Sequence, residues 1–344
     1  MRSSLRGPLG WALAAGLVVA AACGGQPGTT AASQTAKAST GPRLGSFDRP
    51  ISLAFTPSVQ AATIATNGAA IKTALERSTG LAWKVTVMTS YAAQVEAMCS
   101  GSVDVGFFAT VQMTLLIDKA CGTPVLGALR IDPSTKQLST SYQSQIIVRT
   151  DSGINDLNGL KGKKFAFVDP LSASGYVFPT LTIKNKTGQE PKTFFASTIF
   201  AGGHPQAALA VYQGTVDGAA TFIDVRTTAD GTAPGAGMPA DILTKTKRID
   251  TAGPIPNDGV ALGKGFPDDL GKQVKQALID YGKTDDGKKV FASLFQWDGM
   301  QEIDAKFYDS MRDALKLAGV DVQGVANATP RPAATATPAP SKTP

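Results

Sequence analysis

Histidine and cysteine are scarce in this chain of 344 residues, which holds one of the first and three of the second. It has no H-E-x-x-H, no CxxC pair and no group of His and Asp at metal-ligand spacing, so neither a metal nor any other cofactor is expected. A G-x-S-x-G elbow and a Walker loop are missing too, which leaves acyl transfer and nucleotide hydrolysis without support. No catalytic residue is assigned, and the chain reads as a non-enzyme. An excess of charge in the body is also lacking. Of the 33 Lys and Arg, six (Arg2, Arg6, Lys37, Arg43, Arg331 and Lys342) lie near the ends, while all 27 acids lie within 48–321. The net +6 therefore belongs to the ends. A formally neutral body offers no basic face to nucleic acid.

No apolar run is long enough for a comfortable membrane span. Residues 9–22 form the longest, short of the roughly 20 that a bilayer needs. Preceded by Arg2 and Arg6, they read as a cleaved export signal over 1–22. Ala20, Ala21 and Ala22 before Cys23 resemble a bacterial lipobox, although its usual leucine is replaced by Ala20. Cys23 is then the lipid-bearing residue; the competing reading is an ordinary signal with a chance cysteine. Residues 23–47 are rich in Gly, Thr, Ala and Ser and form a tether with an r.m.s. reach of roughly 27 Å. The Ala, Thr and Pro of 326–344 read as a disordered tail. Cys99 and Cys121 remain. In an oxidising compartment they either pair as a disulfide or stay as two buried thiols.

Residues 48–325 exceed a single core, so two lobes are expected. Apolar strands are expected at 51–55, 84–88, 103–107, 164–168 and 219–222, with helical periodicity at 68–78, 91–100, 175–186 and 205–213 between them, and at 270–281 and 307–317 beyond. This alternation implies α/β lobes with doubly wound, mostly parallel sheets. One unit occurs twice. "YAAQVEAMCSGSVDVGFF" from Tyr91 and "HPQAALAVYQGTVDGAATF" from His204 share a polar start, an apolar helix, a Gly turn, Val-Asp and a buried strand. Asp104 and Asp217 in these units read as turn residues. Ligands of such sheets bind beyond the carboxyl ends of the strands.

The segment "FVDPLSASGYVFP" from Phe167 runs from a strand into a helix through Ser172, Ala173 and Ser174. Hydroxyls and free amides at a helix N-terminus favour an anion. Taken alone, the two serines read as helix caps. Together with the two repeated units and "IPNDGVAL", however, the segment resembles the phosphonate, phosphite and phosphate substrate-binding proteins of ABC transporters. That family has the two-lobed type II periplasmic-binding-protein fold.

The resemblance implies that Tyr91, Ser172, Ser174 and His204 hold the phosphorus oxygens, and that Asp224 and Asp258 face the other end of the ligand. Two departures stand out. The family's Ser-Thr-Ser turn has Ala173 at its centre, and an aromatic position often filled by tyrosine is Phe108. Either the ligand is smaller, or Thr110 and backbone amides replace the lost contacts. Each assignment has a plainer counterpart: Tyr91 as a packing residue, His204 as a helix cap, Asp258 as a turn acid. The implied boundaries are 48–140 with 256–325 for one lobe and 141–255 for the other. The implied function is a lipid-anchored, extracytoplasmic, monomeric receptor that passes a small phosphorus oxyanion to an ABC permease and its ATPase. A receptor for sulfonate or nitrate, and a sensor for a membrane kinase, are the alternatives.

Overall fold

Segment Ile51–Phe55 is buried at four of its five positions, the pattern of a strand covered on both faces. It forms β1 of a computed structural model that describes residues 41–132, 135–228, 231–235, 237–322 and 324. The expected signal, Cys23, most of the tether and the tail lie outside these residues. Apart from Gly41, those described belong to one unit, Pro42–Pro344.

Helix α1 (Ala61–Thr79) starts earlier than the apolar periodicity from residue 68 implies and stops at Gly80, whose φ of 67° closes the last turn. β2 (Trp83–Val87), α2 (Tyr91–Cys99), β3 (Val105–Phe108) and α3 (Thr110–Asp118) continue the alternation. β4 (Gly122–Ile131) and the short β5 (Leu138–Ser139) lead into β6 (Ser141–Arg149), β7 (Lys164–Phe167), α4 (Phe178–Thr187) and α5 (Pro191–Phe194). β8 (Ser197–Phe200), α6 (His204–Tyr212), β9 (Gly218–Phe222), α7 (Ile242–Lys245) and β10 (Thr246–Pro256) follow. β11 (Gly259–Gly263), α8 (Asp268–Lys283), α9 (Asp285–Phe295), β12 (Gly299–Glu302) and α10 (Asp309–Ala318) complete the described chain.

The strands form two sheets, ordered β12-β4-β11-β3-β1-β2, with β5 on β4, and β10-β6-β9-β7-β8. Both are mixed. β1 lies parallel to β2 and β3, and β7 lies parallel to β8 and β9. Strands β4, β6, β10 and β11, which flank the passages between the sheets, pair antiparallel because the chain doubles back there. β3 and β9 close the two repeated units, each directly after its helix.

Alternation along the strands divides the cores. Leu53, Phe55, Val105 and Phe107 face Phe291, Phe295 and Trp297, while Ala54 and Phe108 face Val95, Leu115 and Met311. Leu171, Ala173 and Val177, which follow β7, join this second cluster and so pack one sheet unit against the other. Cys99 and Cys121 form a disulfide between the end of α2 and the start of β4, with Cα atoms 4.8 Å apart. Among the described residues no helix is long and apolar enough to cross a membrane.

The two passages between sheets run side by side, and Pro256 pairs with Ser141. Fully buried Asn257 ties them: its N–H donates to Thr140 O, and its Nδ2 donates to Ala128 O and Ser139 O, each at 2.9 Å. Asn257→Ala strips one buried and one partly buried carbonyl of a donor and should cost about 1–3 kcal/mol in urea unfolding. An unchanged midpoint and slope would show that this side chain does not hold the passages.

Candidate functional site

Beyond β7 the chain makes a widened turn, Ala173–Val177, that runs directly into α4. Asp169 Oδ1 accepts from the Leu171 amide at 2.8 Å, and Ser172 Oγ accepts from the Gly175 amide at 3.0 Å. Glycine is required here, since a Cβ on Gly175 would lie 2.4 Å from Val168 Cβ. Ser172 is thus a cap, but accepting leaves its O–H proton free for another partner. Ser144 Oγ fixes the turn by donating to Ser174 O at 2.6 Å. The amides that open the turn have no acceptor within the helix.

Other elements bring polar groups to the same place. Tyr91 opens α2, where Ser90 accepts from the Ala93 amide at 3.1 Å. Burial, with Asp169 and Asp258 nearby, holds the Tyr91 phenol far above its ordinary pKa despite a hydrogen bond with Ser172. Tyr142, on β6, donates to Ser174 Oγ at 3.3 Å, and burial likewise keeps it neutral. Burial raises Asp169 to about 6.

His204 opens α6. Its Nδ1 accepts from the Phe222 amide at 3.1 Å, and Nε2 lies 3.4 Å from Ser172 Oγ. A ring nitrogen that accepts carries no proton, so the neutral ring is protonated at Nε2. Burial first, then the charge of Arg130, lowers its pKa to about 3. Arg130, near the end of β4, donates to Asp258 Oδ2 at 3.1 Å. Its guanidinium carbon lies 4.6 Å from the centre of the Tyr142 ring. Burial raises the Asp258 carboxyl, opposed by Arg130 and by Thr110.

These groups enclose a cavity of about 30 Å³ between the two sheet units, more than the roughly 10–15 Å³ that one water needs. Of the residues expected from sequence, Tyr91, Phe108, Ser172, Ala173, Ser174, His204 and Asp258 line it. Two stand elsewhere. Thr110 directs its hydroxyl to Pro256 O at 2.6 Å, and Asp224 lines a neighbouring cavity of about 50 Å³ beyond Arg130 and Tyr142. Arg130, Tyr142, Thr56 and Trp297 line the first cavity and were not singled out from sequence. An arginine near the end of an otherwise apolar strand was the signal available for Arg130. Opposite the Asn257 passages, the His204 amide donates to Ser58 O at 3.1 Å, and Gln296 Nε2 reaches Asp224 O and Thr227 O, each at 3.2 Å.

The single histidine makes its state directly measurable. The ¹⁵N spectrum of the folded protein should show a neutral Nε2-protonated ring unchanged from pH 8 to about pH 4. Because the folded pKa lies below the unfolded value of about 6.5, the unfolded chain binds more protons below that value. Stability therefore falls as pH drops through this window toward about 3. A titration midpoint near 6.5 in the folded protein would contradict the assigned tautomer and its burial.

Residues 53–308 match the family described as ABC transporter, phosphonate, periplasmic substrate-binding protein. The phosphate-import protein PhnD of Mycolicibacterium smegmatis is 34% identical over 183 residues, 51% of this chain and 56% of that protein. The phosphonates-binding periplasmic protein of Escherichia coli is 27% identical over 224 residues, 64% of this chain and 62% of that one. The chain thus spans between half and two thirds of the length of these relatives. A crystal structure of a binding protein component of an ABC phosphonate transporter from Pseudomonas aeruginosa superposes with a TM-score of 0.69 at 23% identity. It covers 80% of this chain and 89% of its own, and the likeness is one of fold.

Proposed function

The chain belongs to the family of periplasmic substrate-binding proteins of phosphonate ABC transporters, and from that premise we propose that it captures a small phosphorus oxyanion outside the cytoplasm and delivers it to an ABC permease and its ATPase. The reading rests on one observation: Tyr91, Tyr142, Ser172, Ser174 and His204 converge from both sheet units on a space of about 30 Å³. All five can donate while neutral, and the imidazole must. Such a wall suits an anion, because hydrogen bonds to a charged group are stronger than those between neutral partners. The ligand is held and released unchanged.

Two of its matched relatives are named for phosphate and for phosphonates. These ligands share a face of phosphorus-bound oxygens, and the donor cluster addresses that face. The two lobes, 48–140 with 256–325 and 141–255, close on it about the Asn257 passages. Calorimetry with phosphate, phosphite, methylphosphonate, 2-aminoethylphosphonate and sulfate tests the reading. At least one phosphorus ligand should bind, and Ser172→Ala should weaken it by about ten- to a hundredfold. If sulfate binds best, or if Ser172→Ala leaves affinity intact, the reading fails.

Cys23 is proposed as the lipid anchor that holds the receptor at the outer face of the membrane. Cys23→Ser should move the protein from the membrane fraction to the soluble one. An unchanged distribution would remove the anchor from this account.

A further inference from the structure

We propose that Arg130 and Asp258 restrict the cavity to an oxyanion that brings one acidic hydrogen and no cationic tail, such as inorganic phosphate, phosphite or methylphosphonate, and exclude aminoalkylphosphonates. The proposal rests on the oxyanion reading above and narrows its ligand class. Arg130 is 8% exposed and is held over the rings of Tyr142 and Phe222, its guanidinium carbon 4.6 and 5.6 Å from their centres. Its bond to Asp258 Oδ2 uses one donor of the guanidinium and one oxygen of the carboxylate. What remains is informative. Arg130 Nε and Asp258 Oδ1 are both buried without a hydrogen-bond partner, and both residues line the cavity.

A buried, unpaired donor beside a buried, unpaired acceptor is costly to keep unless a ligand completes both. An oxyanion with one P–OH group does so: an anionic oxygen accepts from Arg130 Nε–H, and the hydroxyl donates to Asp258 Oδ1. Sulfate has no such hydrogen, and it would set lone pairs against the carboxylate. The rest of the wall accentuates this difference. His204 donates from Nε2, the serine and tyrosine hydroxyls can donate, and Asp258 alone among the named groups can only accept.

The same pair closes the far end. Asp258 already balances the charge of Arg130, so it has little to offer an ammonium group. The next acid, Asp224, stands in the adjoining cavity, with Arg130 and Tyr142 lining both spaces and separating them. An aminoalkyl tail would have to displace Arg130 or lay its positive charge against the guanidinium.

Calorimetry on the parent, Asp258→Asn and Arg130→Ala, with phosphate, phosphite, sulfate and 2-aminoethylphosphonate as probes, tests the proposal. The parent should bind phosphate or phosphite at least about a hundredfold more tightly than sulfate or 2-aminoethylphosphonate, on the scale of a lost charge-assisted bond. Asp258→Asn presents an amide that can donate to sulfate, and the preference over sulfate should shrink by about tenfold or more. Arg130→Ala should weaken phosphate and admit 2-aminoethylphosphonate. A parent that binds 2-aminoethylphosphonate as tightly as phosphate overturns the proposal without any variant, so misfolding of either substitution does not shelter it. An unchanged ratio of phosphate to sulfate in folded Asp258→Asn also overturns it, with the oxyanion reading left standing. A parent that binds none of the phosphorus probes overturns both.

Discussion

The hydrogen bond from the Phe222 amide to His204 Nδ1 joins the end of β9 to the start of α6, and the working arrangement of the site follows from it. It removes the proton from Nδ1 and leaves it on Nε2, which faces Ser172. It also places the His204 backbone so that its own amide reaches Ser58 on the other sheet unit. One residue thus fixes a tautomer, aims a donor into the cavity and spans the gap. Had Nδ1 kept its proton, the amide of Phe222 would face a donor, and a buried backbone group would lose its partner.

The wall that results is polar but nearly free of net charge. Tyr91, Tyr142 and His204 are held neutral by burial, and the charges of Arg130 and Asp258 offset each other at 3.1 Å. A bare cationic pocket would attract anions of any kind, since charge alone does not distinguish them. Oriented neutral donors act through direction and number instead, and their bonds are satisfied only by an anion of the right shape. Selection of the proposed oxyanion then rests mainly on geometry, with Arg130, already balanced by Asp258, as the one charged donor beside them.

What the sequence made legible was local. The turn at 172–175 could be read because a strand end, a proline, two serines and a glycine follow one another within a few residues. His204 could be read because it is the only histidine and stands between Gly203 and Pro205 at a helix start. The strands of both repeated units stood out through continuous burial-prone runs. Arg130 offered only a weak signal, a lone charge near the end of an apolar strand, since its partner is 128 positions away. Tyr142 was hidden for the same reason, with Ser174 32 positions off. Asp224 and Thr110 show the reverse. Each lies two residues beyond a segment that carried the resemblance, yet a φ of 62° at Asp224 turns the chain after β9, and the hydroxyl of Thr110 is taken up by Pro256. Side-chain direction at one position is decided by backbone and neighbours that a motif does not contain.

For the closure proposed about the Asn257 passages, the contacts opposite them set the energy scale. The amide of His204 to Ser58, and Gln296 to the carbonyls of Asp224 and Thr227, bridge the units. Each such bond contributes about 0.5–1.5 kcal/mol net. Ordering the long side chain of Gln296 for its two bonds costs up to about 2 kcal/mol, which offsets much of what those two bonds contribute, so by themselves the bridges favour the closed arrangement only slightly. A ligand with several charge-assisted bonds, at roughly 1.5–3 kcal/mol each, exceeds that balance by a wide margin. In the proposed role, its differential affinity for the closed arrangement then governs the population, and losing those bonds lets the cleft open again.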